Sequence, residues 1–102
     1  MRCSHESVNT LRLSAAIALV HPLRYTPAGL PALDVVLEHQ SEAEQMGQAR
    51  KVSLVMRAQA FGTEAETLAR QSLGAVCEFH GFLTQARTGK GVVFQIQDFT
   101  PI

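Results

Sequence analysis

The side chains able to do chemistry in this chain are four histidines, two cysteines, and nine Lys or Arg set against nine Asp or Glu. Cys3 and His5 make half of a metal site at most, because no second pair follows at ligand spacing. His21, His39 and His80 fall on separate segments. The chain has no H-x-x-x-H or C-x-x-C pair, no nucleophile elbow and no phosphate loop. His80, two residues after Glu78, fits a surface ion pair better than a general base. These residues point to binding rather than catalysis, with no metal and no cofactor.

The cations that would do such binding are Arg12, Arg24, Arg50, Lys51, Arg87 and Lys90. A nucleic-acid binder usually shows a basic excess or a basic face, whereas this chain has a net charge of zero. A positive field must therefore come from segregation of charge. Acids crowd at Glu38–Glu44 and Glu64–Glu66, and the cations lie elsewhere. Arg87 and Lys90 share the segment Ala86-Arg87-Thr88-Gly89-Lys90-Gly91, a hairpin connection whose cations suit either a solvated tip or a phosphate contact.

The elements that must position these residues read mostly as strands. From Val8, apolar Leu11, Leu13, Ala15, Ile17 and Leu19 alternate with Arg12, Ser14, Ala16 and Ala18, a period of two. In Thr26-Pro27-Ala28-Gly29, Pro sets a turn corner and Gly accepts positive φ. A second strand runs from Ala32 to His39, with Leu33, Val35 and Leu37 on one apolar face. Ser41-Glu42-Ala43-Glu44 suggests a short capped helical turn ended by Gly47. A third strand follows from Val52 to Ala60. Thr63 then reads as the N-cap of a helix with Glu64 and Glu66 in its first turn, Leu68 and Leu73 covering a core, and Gly74 as its stop. Two more strands, Val76 to Gln85 with a bulge at Gly81 and Val92 to Phe99, complete the pattern.

Aromatic residues are few. There is no Trp, and nothing aromatic lies between Tyr25 and Phe61. Phe79, Phe82, Phe94 and Phe99 fit core or interface positions, and Tyr25 a structural place in its turn. Base–aromatic stacking is worth about 1–3 kcal/mol per base, so this scarcity leaves phosphate contacts as the main source of any affinity for a nucleic-acid strand. An apolar fraction of 46% is that of an ordinary globular protein, and no apolar run reaches transmembrane length.

The run P-L-R-Y-T-P-A-G-L-P at 22–31, the L-E-H of 37–39 and the late G-F-L of 81–83 resemble the bacterial single-stranded-DNA-binding protein family. L-E-H-Q-S-E-A-E-Q-M-G at 37–47 is similar to a small dimeric replication-restart member of it. The resemblance runs from about Asn9 to Phe99. It implies an all-β fold, a five-stranded OB-fold barrel with a short helix between strands 3 and 4. Residues 1–7 are then expected to be a disordered lead, and 8–102 one domain.

The resemblance further implies weak binding of single-stranded DNA, with little base discrimination, through Arg12, Arg24, Arg50, Lys51, Arg87 and Lys90. It implies partners within the primosome, including the restart helicase, a cytoplasmic location with reduced cysteines, and a homodimer paired through the first strand. Two alternatives stand beside this. One is an adaptor with little DNA affinity, and the other a short single-stranded-DNA-binding protein. The long acidic-ended tail common in the latter does not follow Phe99-Thr100-Pro101-Ile102, which favours the restart member.

Overall fold

The computed structural model describes residues 7–102. The expected disordered lead lies, but for Ser7, outside the described residues, as do Cys3 and His5. The described chain forms β1 (Leu11–Val20), β2 (Arg24–Tyr25), β3 (Pro31–Gln45), β4 (Gln48–Phe61), α1 (Thr63–Ala69), β5 (Val76–Gln85) and β6 (Val92–Pro101). Neighbours run β1-β5-β6-β4-β3-β2, and β1 also pairs with β3. That last pairing closes β1, β3, β4, β6 and β5 into a five-stranded barrel, with β2 a short addition to the outside of β3. All pairs are antiparallel except β4 with β6. The helix falls between the third and fourth barrel strands. This is the OB-fold expected from the sequence.

The two-residue periods build the core. Leu33, Val35 and Leu37 of β3, Ala15 and Ile17 of β1, Ala58 and Ala60 of β4, Phe79 of β5 and Phe94 of β6 meet inside the barrel. Phe79 and Phe94 are completely buried, and fully burying such a side chain is worth about 1.5–3 kcal/mol. Phe99 packs on Phe79 with ring centroids 5.8 Å apart. The open end is covered by Ala65 and Leu68 of α1. Cys77 is a free, buried thiol whose burial pushes its pKa up, which suits a reduced and inert residue.

Several expectations are corrected. Leu19 is 47% exposed, because a bulge between Ile17 and Leu19 shifts the register against β3 and turns the strand's end outward. Leu73 is exposed too, since α1 stops at Ala69 and Leu73 falls in the following turn. The N-cap is Gly62 rather than Thr63. Its φ of 68° suits glycine, and its N–H donates to the Pro31 carbonyl, fixing the chain's entry without a side-chain cap.

The largest correction is at 41–48. In place of a helical turn, β3 and β4 stay paired out to Gln45↔Gln48. They turn through Met46 and Gly47 at φ 54° and 78°, the doubly positive pattern of a type I′ hairpin. The result is an arm that projects about 20 Å past Gln40 at strand spacing. At its root His39 donates from Nδ1 to the Ser14 carbonyl (2.6 Å), and its Nε2 meets the Ser41 hydroxyl (2.8 Å).

The bulge expected at Gly81 is present, with a register shift between His80 and Gly81. The turn at Thr26–Gly29 is also present. Gly29 has φ 83° and donates its N–H to the Thr26 carbonyl.

Candidate functional site

Alternation along β3 and β4 puts Leu33, Val35, Ala58 and Ala60 inside the barrel. It leaves Asp34, Val36, Arg57 and Gln59 on the outer face. Two segments rise beside that face. The β1–β2 connection brings His21 and Pro22, with Arg24 just after on β2; the β5–β6 loop brings Ala86, Arg87 and Thr88. Between them lies an open cleft of about 470 Å³, floored by the β3–β4 face. An open groove flanked by these two connections is where OB-folds take oligomeric ligands.

The cleft has one carboxylate and three guanidinium groups on its walls. Arg24 donates from Nε to Asp34 Oδ2 at 3.0 Å and from Nη2 to Oδ1 at 3.3 Å, and this pairing raises the Arg24 pKa further. Burial alone would raise the Asp34 carboxyl. Hydrogen bonds from Arg24 and Gln59 and the nearby Arg24 and His21 charges overcome that and hold it below the usual carboxylate range. Asp34 is therefore ionised at neutral pH, and it neutralises much of Arg24. Arg57 and Arg87 are exposed, and among the described residues neither takes part in an ion pair. They carry the cleft's uncommitted positive charge.

The sequence candidates fall into three places. Arg24 and Arg87 come together in the cleft, and Lys90 is exposed in the same loop as Arg87, shaped by Gly89 and Gly91 at φ 80° and 75°. Arg50 and Lys51 sit out on the arm, on opposite faces. Lys51 stands across from Glu42 on the side continuous with Arg57, and Arg50 donates to Gln45 Oε1. Arg12 lies on the outside of the β1–β5–β6 sheet, bound to Glu78 at 2.9 Å. There the expected Glu78–His80 neighbours are 3.6 Å apart, and His80 also meets Asp98 at 2.9 Å.

Sequence reasoning missed Arg57, Gln59 and His21 as cleft residues. The outward parity of β4 was a usable signal for the first two. It also left Phe61 without a role. Phe61 is 39% exposed and shares a cross-strand row with Ala32 and Arg24, two rows beyond Asp34 and Gln59. It puts an aromatic edge at the end of the cleft face. Tyr25 is 58% exposed on the strand edge beside Pro31.

A closed five-stranded barrel with a charged cleft between these two connections defines an OB-fold strand-binding protein. The family described as "another single-strand binding protein family" matches residues 9–98. Replication restart protein PriB of Bordetella pertussis is 45% identical over 80 residues, 78% of this chain and 75% of the relative. The PriB of Neisseria meningitidis serogroup B is 42% identical over 77 residues, 76% of each chain. Among solved structures, PriB from Ralstonia solanacearum superposes with a TM-score of 0.85 at 34% identity, covering 93% of this chain and 98% of that one. The single-stranded DNA binding protein of Thermus aquaticus gives 0.74 at 25% identity, covering 93% of this chain and 50% of that one. The chain belongs to the single-strand binding protein family, among its PriB replication restart proteins. That membership agrees with a binding protein rather than an enzyme.

Proposed function

We propose that this protein binds single-stranded DNA across the outer face of β3 and β4 and serves in replication restart, where it bridges primosome partners in the cytoplasm. The observation that carries this reading is the cleft itself: Arg57 and Arg87 stand uncommitted on its walls, with Lys90 exposed in the same loop as Arg87. Binding is weak, because Asp34 offsets Arg24 and Phe61 is the only aromatic side chain on the described cleft face. Lys51 extends the same strand path onto the arm, whereas Arg50 stands on the arm's other side and Arg12 on another face of the barrel.

The chain acts as a homodimer. Within the chain β5 takes one edge of β1 over Leu11–Ala16 and β3 takes the other over Ala16–Val20, which leaves the edge opposite β5 at Leu11–Ala15 for a second copy. The edges left open are the first residues of β1 and the two sides of the arm.

The experiment is a titration of labelled single strands and matched duplex across a salt series. Single strands bind tighter, and log K falls with log salt at about −0.7 per phosphate contact, near −2 to −3 for three or four cations. Equal affinity for duplex, or binding indifferent to salt, contradicts the reading. No measurable binding to either favours the adaptor alternative, which the Asp34–Arg24 neutralisation also suits.

A further inference from the structure

The bulge in β1 decides which of its side chains reaches the outer face of the barrel. Under unbroken alternation, Ile17 opposite Leu37 would be followed by Ala18 opposite Val36. The bulge leaves Ala18 without a partner in the register and brings Leu19 opposite Val36 instead. Re-aiming a side chain in this way is what a bulge does. Two rows then cross β1, β3 and β4 on the outside of the barrel, Leu19–Val36–Arg57 and Ala16–Glu38–Val55. The outward row beyond Val36 and Arg57 is Asp34 with Gln59, and all four residues line the cleft.

Three branched aliphatic side chains adjoin there. Leu19 and Val36 stand directly opposite, and Val55 lies diagonal to Val36, a separation of about 7–8 Å. Leu19 is 47% exposed and Val55 67%. A lone exposed aliphatic residue is ordinary on a surface, whereas an apolar group rimmed by charge beside a cleft marks a place of contact. The charges on these rows decide the occupant. Arg57 closes one row as a cation with no ion pair among the described residues, and Glu38 stands exposed in the middle of the other.

We propose that Leu19, Val36 and Val55 form an aliphatic floor on which bases of the bound strand lie, in the part that aromatic side chains play in other strand binders. This rests on the single-strand-binding reading above. Glu38 repels phosphate from the floor, while Arg57 and Arg87 attract it to the cleft. The backbone is thereby turned toward the cations and the bases toward the sheet. A floor of methyl groups offers neither donor nor acceptor, so each base fits it alike, in keeping with little base discrimination. It also lacks the face-to-face stacking of an aromatic ring, which keeps the binding weak.

The test puts an aromatic ring on the floor. Val55→Trp, made in a chain with no tryptophan of its own, supplies a single fluorescent reporter at an exposed position. Adding a single strand is expected to quench its emission, and affinity rises by about fivefold or more, the lower end of one base–aromatic stack. The converse variant, Leu19→Thr with Val55→Thr, keeps β-branched side chains that suit a strand while removing apolar surface. It weakens binding by about three- to fivefold and leaves the salt slope unchanged, because no cation is lost. An abasic strand of equal length binds wild type more weakly than the intact strand does, and binds the Thr variant and wild type alike. Strand binding by folded Val55→Trp with no change in emission overturns the floor and leaves the cleft reading standing, as does unaltered affinity in the folded Thr variant. If either variant misfolds, the wild-type comparison decides, since an abasic strand that binds as tightly as the intact one overturns the floor as well. Failure of wild type to bind any single strand overturns the single-strand reading and this one together.

Discussion

Gly81 is a residue whose missing side chain decides the packing around it. A Cβ built there would lie 1.8 Å from the Gln95 carbonyl oxygen and 2.9 Å from the Phe94 ring. Both neighbours belong to the β6 backbone and the sealed core, so neither can give way cheaply. Gly81→Ala is expected to lower stability by about 3 kcal/mol, the upper part of the usual cost of overpacking. Chemical denaturation checks this, and a loss under about 1 kcal/mol would mean that the bulge relaxes freely. Because Gln95 also donates to Gln59 Oε1, and Gln59 in turn to Asp34, the same variant disturbs the cleft floor. At this scale much was legible. Glycine in an alternating strand signalled the bulge, and Leu33, Val35 and Leu37 declared their buried face. Arg57 and Gln59 sat in plain view at outward positions of β4. Their importance depends on which loops stand beside that strand, and no local pattern carries that.

Among the elements, strand order and the place of the helix followed from periodicity, while the arm did not. Ser41-Glu42-Ala43-Glu44 has the local chemistry of a capped helical turn. Pairing across the hairpin overrides it, with Glu42 opposite Lys51 and Ala43 opposite Arg50 in continuous register. Propensity is a weak prior against a long ladder of backbone hydrogen bonds. Barrel closure likewise consumed about half of each β1 edge, which no single strand reveals about itself. The open edges that remain, above all along the arm, need covering in solution. Light scattering at micromolar protein under reducing conditions is expected to give twice the chain mass with no DNA present. A monomer mass would remove the homodimer, and with it any gain in avidity from two clefts on one strand.

For the molecule as a whole, a net charge of zero conceals an uneven distribution. Arg57 and Arg87 line the cleft, with Lys90 in the same loop as Arg87, whereas Glu42 and Glu44 outnumber Lys51 on the corresponding side of the arm. The same strand face thus changes sign along its length, which directs a polyanion to the barrel end. The central claim is that a single strand lies between the β1–β2 connection and the β5–β6 loop. The double variant Arg87→Ala, Lys90→Ala, titrated with a labelled single strand across a salt series, tests it most directly. Weaker binding and a salt slope flatter by about one to two are predicted, with stability changed by less than about 0.5 kcal/mol. Unaltered affinity and slope in a folded double variant would contradict the account and move the strand's path to Arg50 and Lys51 on the arm.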